Sequence, residues 1–592
     1  MLYPFQARAG VADDPQWLAL VHYRPAWFGG VRSTIDSDNF FVSPEGKYSP
    51  RKELDATIDL FENGADKEKK CLFPARYLFL RKKGLIDAAF PNCDEFEKFK
   101  DDLRPAGVTL LFTDAFMNNP SSLFGHTLLR IDTGRKGTQL LAHGMNYGAF
   151  TAGEENGFLF ALLGLTGGYY GGFTIKPYYD VINTYNNLEN RDIWELSLNL
   201  TPEELEMLVA HLWEVGQTQT RYFFFSENCS YMLMETLDAV RPELRLADAF
   251  PAQTIPLDTL KEVYAREGLV GEVRYRPSRQ SKIRHRFAQM NEAQKKAYFA
   301  AVEEQNWRLD GLDDSEKADV LETAYQYIQY RYVAKELDLK DYRKQSFEAL
   351  AARSRIRGVE HFEELKTGKS PLRTHEAMRA GAGFGTRNGQ AFQEISFRPA
   401  YHSLTDRGYG FLRGAEINFL NASFRHYDNT DKYVLHKLEI AGVRSLSPAD
   451  RMFVPPSFAI GADISRVFNP ENEEEGYAFN FQAGGGITLA LTETLWTYGM
   501  INSYVSYGGF LPHNQWAGLG AAAGIFADFG RLRLLAEAEK VWATSHFAPV
   551  FKYRAEASYS LTTNTAAALT YVYDRNYGHD LNEFAASFRL YF

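Results

Sequence analysis

The chain has 592 residues, of which 45% are hydrophobic and 24% charged. That length is too great for one hydrophobic core, so about three or four domains are expected. The composition is that of a folded protein rather than a disordered one. A net charge of −10 argues against a nucleic-acid partner held through phosphate contacts, and against attachment to a membrane through a basic surface.

No segment has the composition of a transmembrane helix. Residues 156–175 are uncharged and long enough, at about 20 residues. They contain six glycines, however, each of which costs a helix about 1 kcal/mol relative to alanine. We interpret the segment as a buried or site-lining loop, with a membrane-touching loop as the alternative. The first residues lack the basic start and apolar run of a secretory signal, so an exported chain is expected to have lost a signal peptide.

The first part of the chain is predicted to be mixed or helical over residues 1–65 and α+β over residues 66–261, where strand and helix patterns alternate. In the α+β region, residues 108–112 and 127–132 have strand character, and residues 139–147 are the expected return strand after the turn TGRKGT.

Two helical features follow. Thr201 and Glu204 have the spacing of a capping box, with a proline between them, and predict a helix start. Residues 262–370 are rich in Lys, Arg, Glu and Ala with helical periodicity, which indicates a helical subdomain or spacer with solvated charges.

The last part of the chain, residues 371–592, alternates small or polar residues with apolar or aromatic ones in segments separated by turn residues. About twelve such segments are present, and an even number of strands is typical of bacterial outer-membrane barrels. The chain also ends in Phe592, within an alternating strand, as those barrels do. We predict an antiparallel transmembrane β-barrel. A soluble lipocalin-like or sandwich domain is the alternative, but twelve strands enclose more space than side chains alone fill.

The three cysteines differ in their surroundings. Cys71 and Cys93 bracket a short segment and are expected to form a disulfide in the periplasm, worth about 3 kcal/mol; two unpaired buried thiols are the alternative. Cys229 is left over, which in an exported protein indicates a reactive thiol.

Cys229 follows an aromatic run and opens the helical pattern SYMLMETLDAV, with Ser226 or Asn228 as the cap. A thiol in the first turn of a helix lies near free amide N–H groups and the positive end of the dipole, which lower its pKa. The same amides, including that of Ser230, are expected to stabilise an oxyanion. The alternative is a small buried cysteine that packs against the sheet.

His126 begins a predicted strand, where its imidazole can activate a helix-borne thiol. A third group must orient that ring. A four-residue turn places His143 opposite Leu128, on the face that carries His126, whereas a one-residue bulge brings Asn146 opposite His126 instead. His143 and Asn146 are both candidates, and Tyr147 and Arg191 are weaker ones.

Other chemistries have less support. The sequence has no CxxC pair, no HExxH and no phosphate-binding glycine loop followed by Lys-Ser/Thr. Two histidines and Cys229 could hold zinc, but further ligands would have to come from elsewhere. We therefore predict neither a metal nor another cofactor.

Five ordered segments, FGHTLLRI, MNYGAF, LLGLTGGYYGGF, YNNLENRDIWEL and FFFSENCSYMLMETL, resemble the Lnb N-terminal periplasmic domain family over about residues 100–260. That family takes its name from a bacterial lipoprotein N-acyltransferase. The order of a His-bearing strand before a Cys-bearing helix also resembles circularly permuted papain-like enzymes such as lecithin retinol acyltransferase, whose Asn-Cys pair is matched by Asn228 and Cys229.

The resemblance implies a papain-like fold in which Cys229 forms an acyl thioester and His126 is the general base, with Asn146 in the matching NYG segment. Lnb-type enzymes are expected to be anchored by transmembrane helices, whereas a barrel is predicted here, so the acyl acceptor does not carry over. We expect substrate to be lined by four aromatic residues, Tyr147, Phe158, Tyr169 and Tyr170.

The leading functional prediction is a cysteine-dependent acyltransferase or acyl hydrolase that acts on outer-membrane lipids or lipoproteins at the periplasmic face of the outer membrane. A second enzyme hypothesis is a papain-like amidase acting on peptidoglycan peptides. The non-enzyme hypothesis is a transport or assembly barrel whose periplasmic domain binds a partner or acts as a plug.

Overall fold

The computed structural model describes residues 10–26, 29–117, 123–134, 139–151, 163–357, 365–469, 474–544, 550–576 and 579–592. The chain divides into two compact units, Met1–Gly368 and Lys369–Phe592. They are called the N-terminal unit and the barrel unit below, and each is described by itself.

The N-terminal unit combines many helices with two sheets. Its helices are α1 (Pro15–Leu20), α2 (Pro50–Glu62), α3 (Lys67–Cys71), α4 (Pro74–Lys82), α5 (Asp94–Leu103), α6 (Tyr178–Ile182), α7 (Pro202–Val215), α8 (Cys229–Val240), α9 (Pro256–Ala265), α10 (Arg279–Gln289), α11 (Glu292–Glu304), α12 (Asp314–Val333) and α13 (Leu339–Arg353). Its strands are β1 (Tyr23–Pro25), β2 (Val31–Ser33), β3 (Pro105–Thr113), β4 (His126–Thr133), β5 (His143–Ala149), β6 (Tyr169–Pro177), β7 (Ile193–Leu198), β8 (Thr220–Tyr222) and β9 (Val270–Arg276).

Strands β1 and β2 form a small ribbon, and the other seven form an antiparallel sheet of order β8-β6-β5-β4-β3-β7-β9. The helix predicted at Thr201 is present as α7, and the reciprocal bonds of its capping box join Thr201 and Glu204. Cys71 and Cys93, the two cysteines expected to pair, are joined by a disulfide.

Helix α8 is the central helix of the unit, packed against β4 and β5 as well as α1 and α7. The sequence pattern predicted an amphipathic helix, yet every residue of α8 is buried. Its polar side chains are satisfied internally: Glu235 accepts hydrogen bonds from His22 and Thr34, and Asp238 accepts from two backbone N–H groups. Burial of polar groups is tolerated when each finds a partner.

The barrel unit is a single antiparallel ring. Its twelve long strands are β10 (Arg379–Arg387), β11 (Gln390–Arg398), β13 (Ala415–Tyr427), β14 (Lys432–Ser445), β16 (Ser457–Asn469), β17 (Glu474–Ala490), β18 (Leu495–Tyr507), β19 (Gln515–Phe529), β20 (Leu532–Ala543), β21 (Phe551–Ser560), β22 (Thr565–Asn576) and β23 (His579–Tyr591). The short strand β12 (Ala400–His402) continues the pairing of β11 with β13, and β15 (Pro448–Ala449) pairs with β17.

The ring is closed because β10 pairs with both β11 and β23, and β11 pairs with β13. Burial alternates along strands such as β18, in which Trp496, Tyr498 and Met500 are buried, whereas Ile501 and Val505 are exposed. A closed ring with an apolar exposed surface and a buried polar interior is the architecture of an outer-membrane barrel. The predicted α+β region and barrel of about 12 strands are confirmed.

Within the described residues, no helix has both the length and the apolar character required to cross a membrane.

Candidate active site

Cys229 is the first residue of α8, and Asn228 is its N-cap. The Asn228 Oδ1 atom accepts hydrogen bonds from the N–H groups of Ser230 (3.0 Å) and Tyr231 (3.2 Å), while its Nδ2 donates to the carbonyls of Phe224 (3.0 Å) and Thr254 (2.6 Å). The Cys229 side chain is therefore held at the start of the helix by a cap that is itself anchored to two loops.

His126 is the first residue of β4, directly beneath this helix start. Its Nε2 atom donates to Asn146 Oδ1 at 2.5 Å, which leaves Nδ1 as the ring nitrogen available to the thiol. The hydroxyls of Thr127 and Ser230 lie 2.8 Å apart and join β4 to α8 beside the pair. The structure thus brings together Cys229, His126 and Asn146, the residues expected to form the site.

His143 is not part of this cluster, which corrects one of the two alternatives for the third residue. In the observed register Ile131 pairs with His143 and Leu129 with Met145, a shift of three residues from the predicted turn. The shift arises because a short 3-10 helix, Gln139–Leu141, lengthens the connection between β4 and β5. His143 consequently lies five residues along β4 from His126, about 16 Å away at the rise of a strand.

Asn146 reaches His126 diagonally. The pairing of Leu129 with Met145 places Asn146 next to Leu128, on the face of the sheet that also carries His126. Diagonal neighbours on one face of an antiparallel pair are within reach of long side chains. The one-residue bulge, the alternative that would bring Asn146 opposite His126, is therefore not required.

The thiol and the imidazole stabilise each other's charged forms. Burial alone raises the pKa of Cys229, but the charge of His126, hydrogen bonding with it and the Thr127 backbone N–H lower that pKa to about 6. Burial likewise opposes charge on His126, yet the thiolate and the Asn146 amide raise its pKa. The lowered pKa of Cys229 and the raised pKa of His126 together favour a thiolate–imidazolium pair near neutral pH.

The Ser230 amide was predicted to stabilise an oxyanion, but it is not free to do so. The N–H of Ser230 is already bound by Asn228, and its hydroxyl contacts Thr127, so Ser230 neither caps the helix nor offers a free amide. The Cys229 N–H is the first-turn amide that the cap does not use. It lies near the Tyr222 hydroxyl, which also approaches the Cys229 sulfur.

Tyr222 was not among the predicted site residues, nor was Tyr185. Burial and the nearby Cys229 thiolate raise the pKa of Tyr222 well above its usual value. The Tyr185 ring lies 5.6 Å from the His126 ring, centroid to centroid. Tyr222 lies in the aromatic run that precedes Cys229, so its position seven residues upstream was the available indication.

Arg191, a weaker candidate for the third residue, has a different place. Its guanidinium is buried and donates to the carbonyls of Thr113 and Asp114, and it pairs with Glu189 at 2.9 Å. It therefore fastens the end of β3 next to His126, and its positive charge opposes protonation of that imidazole.

The aromatic residues expected to line a substrate site are in three different situations. Tyr147 and Tyr169 are buried, and Tyr147 stacks on Tyr222 with 5.8 Å between ring centroids. Tyr170 is half exposed, at 50%. Phe158 lies outside the residues that the structure describes.

The zinc alternative gains no support at Cys229. In the described part of the chain, the one group of three potential metal ligands is His375, His402 and Asp406 of the barrel unit. There Asp406 is bound by Arg398 at 2.7 Å, and the two imidazoles hydrogen-bond each other at 2.9 Å. A carboxylate already neutralised by arginine is a poor cation ligand.

The fold and the site together define a class: an outer-membrane β-barrel protein with a periplasmic α+β domain that carries a buried thiol, imidazole and amide. Residues 95–266 match the family described as Lnb N-terminal periplasmic domain, which confirms the resemblance noted from the five segments. That range contains Cys229, His126 and Asn146.

Three further families, each described only as a domain of unknown function, match other parts of the chain: DUF7843 over residues 9–83, DUF7842 over residues 273–365 and DUF7840 over residues 368–591. The last range coincides with the barrel unit. The boundaries predicted within the N-terminal unit, after residues 65 and 261, stay predictions. A comparison with curated proteins found no match.

Solved structures similar to the barrel unit include the KdgM porin, at 10% identity over 36% of this chain and 99% of that chain, with a TM-score of 0.23. The NanC porin aligns at 8% identity over 36% of this chain and 98% of its own, with a TM-score of 0.23. Omp33, an outer-membrane protein of Acinetobacter baumannii, aligns at 8% identity over 37% of this chain and 99% of its own, with a TM-score of 0.20.

Proposed function

We propose that the N-terminal unit is a cysteine-dependent acyltransferase or acyl hydrolase of permuted papain-like design, acting on phospholipid or lipoprotein at the periplasmic face of the outer membrane. One observation carries the proposal: a thiol at the start of a helix shares a buried site with an imidazole whose other nitrogen is held by an amide oxygen. Nucleophile, base and orienting group are the three parts that thiol acyl transfer requires.

The reaction begins when His126 holds the thiol proton and the Cys229 thiolate attacks the ester carbonyl of an acyl donor. A carbon–sulfur bond forms, and the ester carbon–oxygen bond then breaks as His126 returns the proton to the departing alcohol. Asn146 keeps the ring aligned through both transfers. An amine or water next attacks the thioester carbonyl and gives a proton to His126. The carbon–sulfur bond then breaks, the product leaves as an amide or a free acid, and His126 returns the proton to the Cys229 sulfur.

The oxyanion that forms in each step needs donors close to the sulfur. Two groups are suited to this role, the Cys229 backbone N–H and the Tyr222 hydroxyl, because both lie beside the Cys229 side chain. A substrate oxygen that enters between them would accept one hydrogen bond from the Cys229 N–H and a second from the Tyr222 hydroxyl.

A lipid donor is favoured by the exposed apolar side chains near the site. Phe150, just after β5, and Tyr170, the second residue of β6, are 48% and 50% exposed and lie at the end of the sheet that carries His126. Leu165, 40% exposed, lies in a segment that packs against Phe224, just before Cys229 in the chain. Exposed apolar groups clustered beside a reactive centre are typical of sites that bind apolar ligands. The barrel in the same chain keeps the enzyme at a lipid surface.

The test is incubation of the purified full chain with vesicles of phosphatidylethanolamine and phosphatidylglycerol that carry mass-labelled acyl chains. We expect one acyl mass on the Cys229 peptide, removable by hydroxylamine, and release of lysolipid. Addition of a diacylated peptide with a free amino terminus distinguishes transfer, which gives an N-acyl peptide, from hydrolysis, which gives free fatty acid.

Cys229→Ala is expected to lose both the thioester and the product, and His126→Ala to lose most of both. A full chain that leaves phospholipid untouched but cleaves peptidoglycan peptides in a Cys229-dependent way would replace the lipid substrate by the amidase alternative. Absence of any Cys229-dependent product from either substrate class would refute the proposed enzyme.

A further inference from the structure

The interior of the barrel unit is crossed by contacts between side chains of opposite strands. Around the closed ring the long strands follow the order β11-β10-β23-β22-β21-β20-β19-β18-β17-β16-β14-β13. Strands five steps apart in this ring of twelve are nearly opposite one another. Side chains that meet between such strands therefore cross the lumen.

One pair that crosses the lumen lies at the end of the barrel where β10 finishes, opposite the end where β10 begins at Arg379. Arg387, the last residue of β10, donates to Glu475 of β17 through Nε at 2.9 Å and Nη2 at 2.8 Å. The same guanidinium bonds Glu583 of β23, which also holds Arg425 of β13 at 2.7 Å. Four strands from different parts of the ring are thus linked through buried or nearly buried charges.

A second crossing pair joins Arg444 of β14 to Glu537 of β20 at 3.1 Å. Glu537 also accepts a hydrogen bond from Tyr498 at 2.7 Å. Next to it, Glu539 accepts from Tyr504, whose ring lies 4.1 Å beneath the Lys552 ammonium. Opposite walls of the barrel are therefore in direct contact at this level also.

At the end of the barrel where β10 begins, a connecting segment fills the lumen. Residues 403–414, called the lumen plug below, connect β12 to β13, and three consecutive plug residues contact strands around the ring. Leu404 packs in a buried cluster with Ala459, Trp496, Phe526 and Leu535, and its carbonyl accepts from Arg533 at 2.8 Å. The other two plug residues bind further strands of the ring.

Thr405 donates to Glu556 of β21 at 2.5 Å. Asp406 is fully buried, bound by Arg398 of β11 at 2.7 Å and by the Tyr591 hydroxyl of β23 at 2.6 Å. These three residues bond to β11, β20, β21 and β23 and share a buried cluster with residues of β16, β18 and β19, so the segment lies within the lumen. Its carboxylate and hydroxyl are paired, as groups removed from water require.

From these contacts we infer that the barrel is sealed: it anchors the chain in the membrane and does not conduct solutes. The two crossing pairs and the lumen plug close the interior at three levels of the described barrel, and the cavities among the charged side chains measure about 230 and 320 Å³. Twelve-stranded rings enclose more space than one row of side chains fills, so closure requires such added contacts. This inference is independent of the proposed acyl chemistry.

The experiment compares ion conductance in planar bilayers, and swelling of liposomes in a small sugar, for the full chain and for three variants. The first variant breaks all three levels: Arg387→Ala, Glu475→Ala, Arg444→Ala, Glu537→Ala, Leu404→Gly and Arg533→Ala. The second keeps every charge in place, with Arg387→Lys and Arg444→Lys. The third, Arg575→Ala with Asp580→Ala, removes an exposed pair on the neighbouring strands β22 and β23.

We expect the unmodified chain, the charge-keeping variant and the exposed-pair variant to be silent, and the first variant to gain discrete conductance steps and swelling. Folding of each is checked by the heat-dependent gel mobility of barrels. If the first variant does not fold, Leu404→Gly with Arg533→Ala, Arg387→Ala and Glu475→Ala takes its place. Stable conductance by the unmodified chain would overturn the inference, and so would a folded but silent variant lacking these contacts.

Discussion

The acidity of the Cys229 thiol is decided by its immediate neighbours. Burial would hold the proton on the sulfur, whereas the charge of His126, its hydrogen bond and the Thr127 N–H favour the thiolate. The favourable contributions prevail and bring the pKa to about 6, below the value of about 8.5 for a free cysteine. Because the folded pKa is lowered, the thiolate is present above about pH 6 and is lost as the pH falls through that value.

A first prediction follows for alkylation. The rate at which iodoacetamide modifies Cys229, followed by peptide mass spectrometry, is expected to reach half its plateau near pH 6. In His126→Ala the midpoint is expected to move above pH 8.5, because burial remains and the stabilising charge is gone. The same midpoint in both proteins would show that His126 does not set the acidity of the thiol.

Asn146 carries the second prediction. Asn146→Ala removes the acceptor of the His126 Nε2–H, so the ring loses its fixed orientation, and thioester formation is expected to slow by about tenfold or more. Asn146→Asp, which keeps an acceptor oxygen, is expected to retain more activity. His143→Ala, at the other end of β5, is the matched control and is expected to acylate normally; equal losses in the two alanine variants would assign the effect to strand stability.

At the scale of elements, the start of α8 is the junction on which the site depends. Asn228 satisfies two N–H groups of the helix and two carbonyls of the preceding and following loops. An N-cap contributes about 1 kcal/mol, and the two loop bonds contribute about 1 kcal/mol each. The same side chain therefore supports both the helix and the position of the thiol.

The third prediction separates these roles. Asn228→Ala is expected to lower the free energy of unfolding by about 3 kcal/mol, measured by denaturant titration of tryptophan fluorescence. Asn228→Asp keeps the cap acceptor but places a negative charge beside the sulfur, so the alkylation midpoint of Cys229 is expected to rise. Asn228→Ser, an uncharged cap, serves as control, and a midpoint unmoved by the aspartate would contradict the placement of the cap beside the thiol.

The connection between β4 and β5 differs from the predicted turn, and this difference changes which residues of the two strands are paired. Alternation of apolar residues predicted both strands, because that alternation is a local property. The pairing between them depends on the length and shape of the connection, where the 3-10 helix at residues 139–141 shifts the register. His143 was displaced from the site for this reason, while Asn146 met His126 diagonally.

At the scale of the whole molecule, the chain has two units with separate stabilising features. The N-terminal unit is cross-linked by the Cys71–Cys93 disulfide, which spans 22 residues, and the barrel unit is closed by its own strand pairing. Both units also bury charged pairs, among them Arg76–Glu53 in the first and Arg398–Asp406 in the second.

The fourth prediction concerns this separation. Cys71→Ser with Cys93→Ser is expected to destabilise the N-terminal unit by about 3 kcal/mol, because the unfolded chain regains the entropy of a closed loop. Proteolysis of the N-terminal unit should become faster, while the heat-dependent gel mobility of the barrel should not change. Cys229→Ser is the control for loss of a thiol, and a shift in barrel mobility would show that the two units unfold together.

Local sequence patterns were sufficient to predict the strands of the barrel, the helix that starts at Thr201, and the start of a helix at Cys229. Periodicity and capping residues act over a few positions, so they can be read without a structure. The disulfide between Cys71 and Cys93 could also be predicted, because the chain has only one other cysteine.

Contacts between residues far apart in the sequence could be identified only from the folded arrangement of strands and helices. The bond between His126 and Asn146, the Tyr222 hydroxyl beside Cys229, the use of the Ser230 amide by the cap, and the filling of the barrel by residues 403–414 all join positions whose separation in the sequence does not reveal their contact. Such contacts depend on strand register and on which faces pack together, and both are properties of the assembled core.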